Sequence, residues 1–286
     1  MKSPVYMDRI EKKYEVGISQ NSLPDLWRDV SRYVPLHEFT PGQQITWVNS
    51  VYFDNKDFDL LRLGLLNLRD NIHVRLRTYE YDSYPSQPIS NYWLEMKIKR
   101  EEVRRKKRLR IEREALKAFL NGKDVGGWIL DCNLESADPE NIRSSYREIR
   151  HTIFNLDLKP TLLVTYKRVA FQNGSERLSL DWDIHYYHIG LHVYRYPSWR
   201  DIARTLAVKA DRVLLELKCP GGASPAWFGE LGRNYPLREI RHYSKFNEGM
   251  SYLFPDLFKH YAESNYCLQM IKAYTDGWKA PLEWDG

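Results

Sequence analysis

Several short segments of the chain alternate charged and apolar residues, which is the pattern of a half-buried β-strand. In "HVRLRTYE", Arg75 and Arg77 alternate with Val74 and Leu76. Successive side chains of a strand point to opposite faces, so the charged set shares one face and the apolar set the other. The pattern recurs in "RIEKKYEV", "WLEMKIKR", "KKRLRI", "TYKRVAF", "RLSLDWDI" and "LLELKCP". Strands of this kind predict one shared charged surface, and closing their sheet into a barrel would gather the charges in a lumen.

Helical spacing marks several of the segments between these strands. "SQNSLPDLWRDVSRYV" predicts a helix with Asn21 or Ser22 as its N-cap and Pro24 in the first turn. "KDFDLLRLGLL" predicts a short helix that Gly64 stops. Further helices are predicted in "REALKAFLNGKDV", "ENIRSSYREIRHTIF", "SPAWFGELGRN" and "SKFNEGMSYLF". The expected fold is a single α+β domain dominated by an antiparallel sheet.

Composition narrows the class of protein. The 286 residues include 43 basic and 38 acidic ones, and a net charge of +5 does not by itself predict a nucleic-acid partner. Cys132, Cys219 and Cys267 are far apart, without zinc-site spacing, so free thiols in a reducing compartment are expected. The start of the chain lacks the apolar core of a signal peptide, and no run reaches the ~20 apolar residues of a membrane helix. We therefore expect a cytoplasmic protein with no membrane segment in this chain.

Each charged motif also has a structural interpretation. The paired arginines fit a solvated strand face, and Glu216 with Lys218 fits a buried ion pair. Ser244 and Lys245 fit an ordinary helix N-cap and its neighbour. "EEVRRKKRLRIER" fits a basic nucleic-acid patch, although its glutamates dilute the positive field and its period of two favours a hairpin arm. The sequence has no Walker loop, GxGxxG or GxSxG motif.

Taken in order, the segments resemble a known domain. "RIEKKYEV", "VNSVYFDN", "HVRLRTYE", "WLEMKIK", "KRLRI", "TYKRVAF", "RLSLDWDI", "LLELKCP" and "SKFNEGM" occur in the order found in the VTC-type polyphosphate polymerase domain. That domain belongs to the triphosphate tunnel metalloenzyme (CYTH-like) superfamily. The resemblance implies an antiparallel β-barrel tunnel of about eight strands with flanking helices. It implies one domain over 1–286, with a core at about 6–255 and a C-terminal helical extension at 256–286.

The resemblance also implies roles for individual residues. The expected catalytic cations are Lys13, Arg75, Arg77, Lys97, Arg168, Arg177 and Lys245. The expected substrate-binding residues are Arg108, Arg110, Tyr166 and Ser244, with Lys107 replacing Arg108 if the register of that strand slips. Glu216 is the expected metal ligand, and Glu11 and Glu95 are further candidates. The implied cofactor is a divalent ion, Mn²⁺ or Mg²⁺, and the implied partners are ATP and inorganic polyphosphate or triphosphate.

These residue types suit phosphoryl transfer, which depends on positioning and on neutralising the charge of the transferring group. Arginine contacts phosphate oxygens with two N–H groups at once, and Mg²⁺ or Mn²⁺ binds carboxylate and phosphate oxygens. Attack by a phosphate chain end on ATP would extend polyphosphate, whereas attack by water would hydrolyse a triphosphate. The sequence shows no clear general base for water, which favours the polymerase. A triphosphatase and a non-catalytic polyphosphate- or nucleotide-binding module remain the alternatives.

Overall fold

The computed structural model describes residues 9–66, 71–81, 91–100, 103–135, 137–189, 207–221, 223–241, 243–255 and 257. The predicted extension at 256–286 therefore lies, apart from residue 257, outside the described residues. Within the described residues there are ten strands: β1 Arg9–Val16, β2 Thr46–Asp54, β3 Asn71–Glu80, β4 Asn91–Arg100, β5 Val103–Glu112, β6 Lys159–Asn173, β7 Glu176–His188, β8 Val208–Ala210, β9 Val213–Pro220 and β10 Leu237–Glu239.

The helices of the same residues are α1 Leu23–Ser31, α2 Asp59–Leu66, α3 Arg113–Leu120, α4 Gly126–Asn133, α5 Pro139–Asn155, α6 Ala226–Asn234 and α7 Lys245–Leu253. A 3₁₀ turn at Gln20–Ser22 precedes α1. The prediction that Gly64 stops α2 is wrong, because the helix continues to Leu66. Its buried Leu60, Leu61 and Leu65 hold the helix in place on both sides of the glycine. No described helix is both long enough and apolar enough to cross a membrane.

All the strands belong to one antiparallel sheet. Its order is β10-β1-β9-β7-β6-β2-β3-β4-β5, and β8 pairs with β7. β8 and β10 have three residues each, so the eight longer strands match the predicted number. The path is strongly curved but open, since no pairing joins β5 to β10 in the part of the chain that the structure describes. The predicted α+β antiparallel fold is confirmed, and the sheet is open rather than a fully closed barrel.

Helices cover the outer face of the sheet in two places. α3, α4 and α5 bury Leu116, Phe119 and Ile149 against the apolar positions of β3–β5. α1 and α6 pack with the apolar positions of β1, β7 and β9. These apolar positions alternate with the charged ones, so burying them turns the charged positions of the same strands toward the inside of the curve.

Helix α7 lies on the inner face of the sheet. Its Phe246 and Met250 belong to an apolar cluster with Leu162, Val164 and Tyr186 of β6 and β7. The close approach requires Gly249, because a Cβ at that position would lie 2.4 Å from Cδ1 of Tyr186. The helix begins at Lys245 and so places its first residues beside the charged side chains of the strands.

A β-bulge changes the face of the later residues of β7. The pairing of β6 with β7 shifts between Thr165 and Lys167, and Asp183 there has a φ of 54°. The sequence pattern placed Asp181 and Asp183 on one face. The extra residue of a bulge breaks that alternation, so Asp183 pairs with Lys167 and Lys209, whereas Asp181 points to the inside.

Candidate active site

The inner face of the sheet and the start of α7 enclose a cavity of about 900 Å³, which lies within the range of about 300–1,000 Å³ typical of ligand sites. Its walls are mostly charged and aromatic. The predicted site residues that line it are Glu11, Lys13, Arg75, Arg77, Lys97, Arg108, Tyr166, Arg168, Arg177, Glu216, Ser244 and Lys245. Arg110 and Glu95 are the two predicted residues that lie outside this lining.

The paired arginines of β3 are buried and held by neighbours on both sides. Arg75 donates Nε and Nη2 to Oε2 of Glu95, at 2.8 and 2.7 Å, and Nη1 to the hydroxyl of Tyr52 at 3.1 Å. Arg77 donates Nε to the hydroxyl of Ser50 at 3.0 Å. These bonds orient both guanidinium groups before any ligand arrives, so phosphate binding requires little reorganisation.

Glu95 is the counter-ion of this wall. Its carboxylate has no exposed surface, and its Oε1 pairs with Lys106 at 2.8 Å and with Arg108 at 3.2 Å. Burial alone would raise the pKa of Glu95, but Arg75 and Arg77 lower it well below its usual value. An ionised carboxylate enclosed by cations and away from the cavity surface stabilises those cations. Its position therefore favours a structural role over the metal-binding role suggested by the sequence.

A second anchored pair joins β6, β7 and α7. Arg168 donates Nε and Nη2 to the two oxygens of Asp181, at 2.6 and 2.7 Å, and Lys245 Nζ lies 2.7 Å from Oδ2 of the same carboxylate. Burial would raise the pKa of Asp181, but Arg168 and Lys245 lower it below its usual value. The Lys245 ammonium also lies 4.5 Å from the centre of the Tyr166 ring. Asp181 thus places both cations at the cavity wall.

Two carboxylates line the opposite wall, on β1 and β9. Lys218 Nζ lies 2.8 Å from Glu216 and 3.4 Å from Glu11, while Lys13 Nζ lies 3.3 Å from Glu11. Burial would raise the pKa of Glu216, but Lys218, Arg168 and Lys13 hold it well below its usual value. Both carboxylates are partly exposed to the cavity, unlike Glu95.

The donor set of this wall fits a divalent ion whose remaining ligands come from a substrate. Among the described residues, no group of three or more His, Cys, Asp or Glu side chains is placed to hold a metal. Mg²⁺ and Mn²⁺ are commonly bound through one or two carboxylates together with phosphate oxygens and water. Glu216 and Glu11 supply those two carboxylates.

Lys97 and His73 occupy the cationic middle of the cavity. Burial and the neighbouring Arg75 lower the pKa of Lys97 to about 7. Burial and the charges of Lys97 and Arg75 lower the pKa of His73 to about 3, so its imidazole is neutral at physiological pH. Lys97 is therefore a cation whose charge depends on pH in the physiological range.

The structure separates the two arginines predicted on β5. Arg108 lines the cavity, stacks 3.9 Å above the Trp93 ring and donates to the hydroxyl of Tyr79 at 3.3 Å. Arg110 donates Nε to the side chain of Asn91 at 2.9 Å, outside the cavity lining. Lys107 pairs with Glu148 of α5, outside the cavity lining, so the register of β5 places Arg108 rather than Lys107 at the cavity.

Ser244 occupies the N-cap position of α7, which agrees with the structural interpretation of the sequence as an ordinary helix N-cap. Its side chain makes no capping hydrogen bond, and it lines the cavity. Next to it, the carbonyl of Tyr243 accepts a hydrogen bond from Lys13 Nζ at 2.9 Å. This contact connects the start of α7 to β1.

Sequence reasoning missed Asp181 and Tyr52 as parts of the site. Asp181 follows Arg177 at an even spacing, which places both side chains on one face of a strand. The alternation in the sequence therefore indicated that Asp181 faces the cavity. Tyr52 lies in an apolar strand, and its contact with Arg75 depends on the pairing of β2 with β3. No local pattern in the sequence reveals that pairing.

Comparisons with known proteins identify the family of this chain and several relatives. The family model described as the VTC domain matches residues 8–254. The vacuolar transporter chaperone complex subunit 4 of Schizosaccharomyces pombe (strain 972 / ATCC 24843) is 24% identical over 270 residues, which cover 84% of this chain and 37% of that protein. The subunit of the same name from Trypanosoma brucei brucei (strain 927/4 GUTat10.1) is 30% identical over 161 residues, 51% of this chain and 20% of that protein.

The chain therefore spans less than half the length of these curated relatives. Among solved structures, the crystal structure of a putative adenylate cyclase from Bacillus halodurans is similar, with a TM-score of 0.46 and 14% identity. That match covers 84% of this chain and 96% of the other.

Proposed function

The chain belongs to the VTC domain family, and we propose that its cavity transfers the γ-phosphoryl group of ATP to a growing inorganic polyphosphate chain with the help of a divalent metal ion. The observation that carries this proposal is the arrangement of two opposed walls. One presents the oriented Arg75 and Arg77, and the other presents the ionised Glu11 and Glu216. Arginines bind phosphate oxygens, and carboxylates facing the same cavity can hold a divalent ion together with those oxygens.

In this proposal, Arg75, Arg77 and Arg168 bind the phosphate oxygens, and Lys245 adds a further positive charge. Asp181 engages Nε and Nη2 of Arg168, so the third nitrogen, Nη1, is not used in that pair. Guanidinium groups that are already fixed by neighbours stabilise developing negative charge efficiently, because they do not have to reorient during the reaction.

Glu216 and Glu11 are the residues proposed to hold the metal ion. When bound, a divalent ion would neutralise part of the charge on the phosphate oxygens. Lys13 and Lys218 keep both carboxylates ionised and separate their like charges, which otherwise raise the pKa of Glu11.

The transfer itself requires no base. An oxygen of the terminal phosphate of the acceptor chain attacks the γ-phosphorus of ATP. A new P–O bond forms, the P–O bond to the ADP portion breaks, and ADP leaves with that electron pair. The attacking oxygen is already anionic, so the residues of the cavity need only position the two phosphates and offset their charge.

The test is a product analysis. Purified protein is incubated with ATP and Mn²⁺ or Mg²⁺, with a chelator as the control, and the products are separated by chain length. The proposal predicts metal-dependent, acid-labile polymers together with ADP. Release of phosphate or pyrophosphate without polymers would indicate a triphosphatase, and nucleotide binding without any turnover would indicate a binding module.

A further inference from the structure

The segment between α1 and β2 crosses one end of the cavity. Leu36 forms a β-bridge with Phe171, and the backbone N–H of His37 donates to the carbonyl of Ala170 at 2.8 Å. A few residues later, the hydroxyl of Thr40 donates to that of Tyr81 at 2.9 Å. The segment is thus attached near the end of β6 and again just beyond the end of β3.

Phe39 lies between these two attachments. This residue is 46% exposed, yet it lines the cavity. The other exposed large hydrophobic residues of the described chain, Trp128, Leu134 and Leu156, do not line it. The guanidinium of Arg177 lies 4.9 Å from the centre of the Phe39 ring. An aromatic ring that is solvent-exposed, held by an anchored segment and paired with a cation is suited to stack a flat ligand.

The two ends of the cavity differ in chemistry along β3. Tyr79 and Tyr81 lie at the end of the strand, on the side of Phe39. The start of the strand, at Asn71, pairs with Lys99, and Arg105 lines the cavity from the neighbouring strand. The mouth at Phe39 is therefore aromatic as well as basic, whereas Lys99 and Arg105 make the other mouth basic. An inorganic polyphosphate offers nothing for an aromatic ring to stack on, whereas a nucleoside triphosphate carries a base.

We propose that the mouth at Phe39 binds the nucleoside of the triphosphate donor by stacking its base on the Phe39 ring beside Arg177. This inference rests on the proposed function, since it assumes that the middle of the cavity binds the triphosphate. Stacking tolerates different bases because every base has a π-face, so the site takes nucleoside triphosphates as a class. The donor enters at this mouth, and the other mouth is left for the inorganic chain.

The test compares ATP with inorganic tripolyphosphate, which has no base, by calorimetric titration of the full chain. Loss of a base-stacking contact weakens binding by roughly tenfold. We expect Phe39→Ala to weaken ATP binding by about that factor and to leave tripolyphosphate affinity within about twofold. Phe39→Trp should retain the affinity for ATP. Trp128→Ala removes a comparably exposed aromatic residue outside the cavity and should change neither affinity.

Unchanged ATP affinity in Phe39→Ala would overturn the inference. An equal loss for both ligands would also overturn it, because Phe39 would then support the phosphate site or the fold rather than a base. Failure of the wild-type protein to bind tripolyphosphate would overturn the proposed function and the inference with it. Normal tripolyphosphate binding together with an ATP affinity that does not change in Phe39→Ala would overturn only the inference.

Discussion

The spacing Glu-x-Lys occurs on three strands of the cavity, and the glutamate of one copy is buried whereas the glutamates of the other two are exposed to the cavity. They are Glu11–Lys13 on β1, Glu216–Lys218 on β9 and Glu95–Lys97 on β4. On β1 and β9 the carboxylate lines the cavity, with side-chain exposures of 23% and 19%. On β4 it is fully buried and surrounded by Arg75, Lys106 and Arg108.

The difference lies in the neighbouring strands rather than in the motif. β4 lies between β3 and β5, which both present long cations at the level of Glu95. Glu11 and Glu216 lie on adjacent strands, where Lys218 pairs with both carboxylates and Lys13 pairs with Glu11. A carboxylate among three cations becomes part of the wall, whereas the two carboxylates side by side line the cavity, where we propose that they hold a metal ion.

Removing the charge of Glu95 should have the largest effect on the stability of the protein. Glu95→Gln leaves three cations without their shared counter-ion, and breaking a buried ion pair from one side costs about 3–5 kcal/mol. We expect the free energy of unfolding, measured in urea at pH 7, to fall by about 3 kcal/mol. Glu114→Gln is the control, because that exposed carboxylate pairs with Lys117 on the surface of α3 and its loss should change stability by less than about 0.5 kcal/mol.

The pH dependence of this effect has a defined sign. The pKa of Glu95 is lowered in the folded protein, so its contribution is fully present above the ordinary glutamate pKa of about 4.3. The contribution is lost as the pH falls below that value. A small stability loss in Glu95→Gln, combined with loss of metal-dependent turnover, would instead return Glu95 to the metal site.

The next largest effect should be the pH dependence that Lys97 gives to phosphate binding. With a pKa of about 7, this lysine is mostly charged at pH 6 and mostly neutral at pH 8. If bound phosphate holds the proton on Lys97, affinity for tripolyphosphate should be up to about tenfold higher at pH 6 than at pH 8. Lys97→Arg keeps its charge over this range and should lose that part of the pH dependence, as measured by titration of both proteins. Equal pH profiles would show that Lys97 does not contact the ligand.

The two arginines of β5 should give the smallest effect. Arg108 lines the cavity and is partly exposed, so Arg108→Ala should weaken tripolyphosphate binding by about fivefold, equivalent to about 1 kcal/mol. Arg110→Ala removes a cation of the same strand that lies outside the lining and should change the affinity by less than about twofold. Equal losses in the two variants would mean that general positive charge, rather than position in the cavity, determines binding.

Alternation in the sequence predicted the larger features. The charged pairs of β1, β3 and β9 line the cavity as the alternation predicted, because helices bury the apolar positions between them; these pairs are Glu11 with Lys13, Arg75 with Arg77, and Glu216 with Lys218. Alternation does not predict the features that depend on a long-range contact. The bulge at Asp183 moves one acid out of the site, and the register of β3, β4 and β5 buries Glu95. Such features depend on pairings between distant segments, which a local pattern cannot encode.

The division of the cavity into a phosphate wall and a metal wall is tested most directly by Glu216→Gln, which keeps the shape of the side chain and removes its charge. Metal-dependent consumption of ATP and affinity for tripolyphosphate are measured on the same preparation. Loss of a metal anchor worth several kcal/mol predicts a fall in turnover of at least about 100-fold. Tripolyphosphate should still bind within about threefold of the wild-type affinity, because Arg75, Arg77 and Arg168 are unchanged. Full turnover in the Glu216→Gln protein would contradict the account.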